Sequence, residues 1–92
     1  MIFSIGNYKI DTLDVVMVLE IDHLTESKRG RFLFDSTKNK NIIVTDEFNL
    51  PLSALVVSEN GENKMYLTPM TPQTLIKHLG GTLSKKEANL WF

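Results

Sequence analysis

The side chains able to do acid–base or ligand chemistry are few and widely separated. The two histidines, His23 and His78, have no partner at triad or metal-ligand spacing. A histidine in the last turn of a helix, the position His78 takes below, serves the helix dipole more often than it does chemistry. Asp11 and Asp14 stand three residues apart, a spacing that allows paired carboxylate catalysis. Both flank a turn, however, where short acidic side chains cap backbone N–H groups. No His/Asp/Glu set has the spacing of a metal site, and Gly80-Gly81 lacks the Lys-Ser/Thr that completes a phosphate loop. Zero cysteines exclude thiol catalysis, a disulfide scaffold and a cysteine-held metal. These residues specify neither an enzyme nor a cofactor.

A different chemistry is concentrated in one segment. Lys28, Arg29, Arg31, Lys38 and Lys40 lie within thirteen residues, interleaved with Ser36, Thr37, Asn39 and Asn41. Lysine and arginine contact phosphates, and hydroxyl and amide side chains bond phosphates or base edges. The plainer reading of such a run is a solvated polar face. The overall net charge is −1, which argues against polyanion binding by bulk electrostatics. That total conceals blocks: −3 over residues 1–24, +3 over 25–41, −4 over 42–62 and +3 over 63–92. A local basic face therefore fits within a neutral chain. At the other extreme, the final Leu90-Trp91-Phe92 is apolar. It either folds back on the core or forms an oligomer contact.

The elements that must position these groups are partly written in turn and cap residues. Gly6-Asn7 between Ile2–Ile5 and Tyr8–Ile10 suits a hairpin with a type II′ turn. Val15-Val16-Met17-Val18-Leu19-Glu20-Ile21 is a nearly unbroken apolar run, expected to be a strand buried on both faces. Thr25 with Glu26 can open a helix over residues 25–37, although Gly30 weakens it and Phe32-Leu33-Phe34 also reads as strand. Ile42–Thr45 is a short strand, and Asp46–Asn49 a turn. Asn60-Gly61 between Ser53–Ser58 and Lys64–Thr68 is a strong type I′ hairpin signal. Thr71-Pro72 opens a last helix whose apolar stripe is Leu75, Ile76 and Leu79, with Lys77 and His78 near its C-terminal end. The Pro69-Met70-Thr71-Pro72 string is better explained by this helix start than by a polyproline ligand.

The ninety-two residues are 42% hydrophobic and 23% charged, the composition of one ordinary globular domain with one modest core. The pattern predicts an α+β fold: a small β-rich domain with antiparallel hairpins and one or two short helices. No apolar stretch approaches the roughly 20 residues of a membrane span, and the start has no basic n-region. A cytoplasmic location without membrane contact is the expectation.

Three stretches, taken in order, resemble the bacterial extracellular-matrix regulators of the RemA/RemB type. They are Ile5-Gly6 through Asp11-Thr12-Leu13-Asp14-Val15-Val16 to Asp22, then Ser53-Ala54-Leu55-Val56-Val57, then Tyr66-Leu67-Thr68-Pro69 through Thr71-Pro72 to His78. The likeness covers roughly residues 2–79 and is closer to the RemB branch. It divides the chain into a family-like domain, 1–80, and a short C-terminal extension, 81–92. It implies a LytTR-like fold, a homo-oligomer and a DNA-binding transcriptional regulator of matrix genes, with helix over residues 25–37. The likeness departs at Asn49-Leu50-Pro51-Leu52-Ser53, where DNA-binding members carry an arginine-rich turn and this chain has no positive charge. Duplex DNA would then be met by Lys28, Arg29, Arg31, Lys38 and Lys40. The alternative is an assembly module of the same fold that does not touch DNA.

Overall fold

A computed structural model describes residues 1–80 as a small α+β domain. The chain begins with a hairpin of β1 (Ile2–Ile5) and β2 (Tyr8–Asp11), followed by one 3-10 turn at Thr12–Asp14. Strand β3 (Val15–Glu20) leads to helix α1 (Glu26–Ser36). Then come β4 (Ile42–Val44), β5 (Ser53–Glu59), β6 (Glu62–Thr68) and α2 (Pro72–Leu79). The first hairpin is a two-stranded sheet of its own. The other strands form a four-stranded sheet in the order β3-β5-β6-β4.

Local chemistry explains most of these boundaries. At the first hairpin Gly6 has φ +58°, and Ile5 pairs with Tyr8 across a two-residue turn. At the second, Asn60 and Gly61 have φ 51° and 80°, the two positive values that a type I′ turn requires. Thr25 Oγ1 accepts the Lys28 N–H at 3.3 Å, so the helix reading of this segment holds. Thr71 Oγ1 accepts the Thr74 N–H at 3.2 Å, with Pro72 in the first helical turn. Asp11 Oδ1 accepts the Leu13 N–H at 3.0 Å and caps the 3-10 turn, the duty expected of it.

Sheet pairing sorts the side chains into two faces, because residues directly opposite in neighbouring strands share a face. Val18, Leu55, Tyr66 and Ile43 form one row across the sheet. This face carries the core, which β1, β2 and α2 complete with Phe3, Ile5, Ile10, Leu75 and Leu79. On the opposite face Ala54 and Leu67 are buried, while α1 packs beside β4.

Strand β3 departs from expectation. An apolar run of this kind suggests burial on both faces, yet β3 is an edge strand and only Val18 is buried along it. Val16, Met17 and Leu19 are 44%, 40% and 37% exposed. A bulge between Val15 and Met17 contributes, since the register moves from Val15↔Val57 to Met17↔Val56 and leaves Val16 without an opposite residue. The other cause is position: nothing among the described residues pairs with the outer side of β3.

Candidate functional site

The basic segment is divided by the geometry of α1. Ser36 is buried and Arg29, Phe32 and Leu33 are half-buried, so these four define the inward side of the helix. At 100° per residue, Arg31 and Phe34 lie opposite that side, flanked by Lys28 and Asp35. Lys38 follows the C-terminal cap, and its ammonium stands 4.9 Å from the centre of the Phe34 ring. Such an exposed cation–π contact contributes about 0.5–1 kcal/mol. Phe34 is 64% exposed, so the outward face carries an aromatic ring next to Arg31 and Lys38, with exposed Lys28 at its margin.

Arg29 does not belong to this face. It is half-buried, and its buried Nε has no hydrogen-bond partner among the described residues. Lys40 lies in the exposed stretch between α1 and β4, where Asn39 Oδ1 accepts the Asn41 N–H at 2.9 Å. Five basic residues close in sequence therefore resolve into three on one surface, one half-buried and one on the following loop. Among the described residues, no carboxylate lies within ion-pair distance of any of the five. Lys64 contrasts with them, since its ammonium is held 3.1 Å from Glu59 Oε2.

Other polar groups are engaged in structure. Tyr66 Oη donates to Glu59 Oε1 at 2.9 Å. Burial and this carboxylate push the Tyr66 hydroxyl up to about 12, while the Tyr66 hydroxyl and the Lys64 ammonium hold the Glu59 carboxyl below its ordinary value. Asp46 accepts from the Asn49 side chain and the Phe48 N–H, both at 2.9 Å, and these bonds lower its carboxyl. This acidic turn borders a shallow open groove of about 380 Å³ lined by Asn7, Tyr8, Val44, Thr45 and Phe48. His78 stacks on Phe3 with ring centres 6.1 Å apart and planes at 9°, which gives it a packing role.

One grouping was not foreseen from spacing. Glu20, Asp22 and His23 bring potential ligand atoms within 4.8 Å of one another at the end of β3. The adjacent Asp22 carboxylate, through a hydrogen bond and like charge, raises the Glu20 carboxyl. The signal was present as E-x-D-H, but the turn at Asp22 and His23, just after β3, was needed to close it. Leu90, Trp91 and Phe92 lie outside the described residues, as does the whole of 81–92. No described helix is long and apolar enough to cross a membrane.

No protein-family model, curated protein or solved structure matches the chain.

Proposed function

We propose that the protein is a DNA-binding regulator of the RemA/RemB type that acts as a homo-oligomer and contacts the phosphate backbone through the outward face of α1. The observation that carries this reading is the set of exposed cations Lys28, Arg31 and Lys38 on the solvent side of α1 and just beyond it, which have no carboxylate partners among the described residues. Cations not already neutralised within the fold are free to displace counterions from a duplex. An α-helix of this kind fits the roughly 12 Å width of the major groove, although Asp35 and Glu26 on the same helix limit how closely phosphates approach. Three cations per protomer give weak binding, which an oligomer multiplies. Repression or activation of extracellular-matrix genes follows from the family resemblance alone.

A labelled duplex titrated across a salt series tests this. Affinity is expected to fall steeply with salt, and Lys28→Ala, Arg31→Ala and Lys38→Ala each to flatten the log–log slope by about 1. Lys40→Ala, on the loop, is expected to have the same or a smaller effect. Arg29→Ala is expected to change the slope less than Arg31→Ala, because Arg29 is half-buried on the inward side of α1. Absence of binding at low salt refutes the reading. Equal slopes for the Arg31 and Arg29 variants refute the assignment of the face.

The second reading, an assembly module of the same fold, is favoured by a separate observation: the exposed apolar edge of β3.

A further inference from the structure

The two-residue turn sets Glu59 opposite Glu62, and the closing pair of such a hairpin exchanges both backbone hydrogen bonds. Alternation along β5 then directs the backbone groups of Ser53, Leu55 and Val57 towards β6, and those of Ala54 and Val56 towards β3. Leu19 and Met17 stand opposite Ala54 and Val56, so their N–H and C=O groups point inward. The 2.9 Å bond from the Ile21 N–H to the Leu52 carbonyl continues the same series. The N–H and C=O groups of Val18 and Glu20 are therefore left pointing outward over the open edge. Side chains on that edge are apolar from Val15 to Leu19, without the lysine or proline that commonly guards an edge strand.

We propose that this edge is a self-association surface, on which β3 of a second copy pairs antiparallel about a two-fold axis through Val18. This rests on the oligomeric part of the reading above and supplies its geometry. An axis perpendicular to the sheet preserves the faces, so Val18 meets Val18 of the second copy and the outward backbone groups of both bond reciprocally. Met17 then sits beside Leu19 of the second copy in a non-hydrogen-bonded pair, where side chains approach most closely. Two exposed apolar side chains from each copy thus cover one another, and two four-stranded sheets become one of eight.

Charge selects this register. Glu20 faces the neutral Val16 of the second copy. An axis through Met17 would carry Glu20 past the end of the partner strand towards Asp14 of the 3-10 turn, a group of like charge. An axis through Leu19 would set Val16 against Asp22 and leave only Val18, Leu19 and Glu20 paired within the strands. A second copy is therefore the occupant that the edge fits, and the fit is specific to one alignment.

Light scattering on the full chain, at concentrations up to about 1 mM because a short interface is weak, gives the first measurement. A concentration-dependent dimer is expected, abolished by Met17→Lys and by Leu19→Lys. Val16→Lys would face Glu20 of the second copy and is expected to tighten the dimer about fivefold, while Val16→Glu weakens it by a similar factor. Both changes fall on one exposed side chain, so a folding defect cannot produce opposite signs. Because the chain has no cysteine, the M17C/L19C double variant reports the register directly: it is expected to cross-link on oxidation where L19C alone does not.

An oligomer indifferent to all four lysine and glutamate variants overturns this edge while leaving oligomerisation intact. A monomer at every concentration overturns it as well. If hydrogen exchange of such a monomer shows protected Val18 and Glu20 amides, residues 81–92 cover the edge instead. DNA titration of the same variants keeps the fate of the α1 face separate from that of β3.

Discussion

The two edges of the four-stranded sheet are built in opposite ways. On one side, β4 is three residues long, runs parallel to β6 and is closed by neighbours. Thr45, just beyond it, donates its hydroxyl to the Leu67 carbonyl at 2.7 Å and its N–H to the same carbonyl at 3.1 Å. The β1–β2 turn abuts it there, and α1 lies alongside. On the other side, β3 is twice as long and apolar, and among the described residues it has no neighbour beyond it. A short, parallel, covered edge offers little to another strand. A long apolar one offers a row of outward backbone groups. Among the described residues, packing covers one edge of the sheet and leaves the other open.

The largest test of that contrast is at the closed edge. Gly6 has φ +58°, and a Cβ placed there would stand 2.8 Å from the Thr45 carbonyl oxygen. Any side chain must bear both the left-handed backbone and a clash with a backbone atom that a strand holds in place. Gly6→Val is expected to cost about 3 kcal/mol and Gly6→Ala about 2 kcal/mol in urea unfolding. A cost below about 0.5 kcal/mol would show that the turn does not close β4.

Tyr66 provides a smaller test on the core side, beside the same edge. Its ring meets Tyr8 edge-on with centres 5.6 Å apart, and its hydroxyl bonds Glu59. Tyr66→Phe is expected to cost about 1.5 kcal/mol, as for a hydrogen bond to a charged acceptor. The pH dependence follows from the shifts. The Tyr66 hydroxyl is raised from 10 to about 12, so its contribution is full below pH 10 and is lost as pH rises towards 12. Glu59 is lowered, so its contribution is present above its unfolded value of 4.5 and is lost as pH falls through the folded one. Denaturant midpoints followed from pH 9 to 12 should converge for wild type and the Phe variant. Parallel curves would break the assignment.

Legibility divided along the line between local and non-local chemistry. The Gly6-Asn7 and Asn60-Gly61 turns, the Thr71-Pro72 helix start and the Thr25 cap were readable because each is decided within four residues. The edge position of β3 was not, because an apolar run reads the same whether its second face meets another layer or solvent. Neither was the parallel pairing of β4 with β6, which skips the intervening β5. Composition showed that the basic residues fall in one segment, but only the helix phase could separate the exposed Arg31 from the half-buried Arg29. The Glu20, Asp22 and His23 grouping likewise depended on the turn that follows β3.

The smallest expected effect belongs to the open edge and tests the comparison from its other end. Val16 is 44% exposed, and the bulge leaves it with no residue opposite on β5. Threonine has its shape and its strand preference and differs by one hydroxyl, which water can solvate at that exposure. Val16→Thr is therefore expected to change stability by less than about 0.5 kcal/mol in dilute protein. A valine buried against another part of the chain behaves differently, because the hydroxyl would lose its water without gaining a partner, at about 1–3 kcal/mol. A loss of that size in dilute solution would mean that the edge is already covered within one molecule. A neutral result when dilute, with a loss that grows as protein concentration rises, would instead place the cover on a second copy.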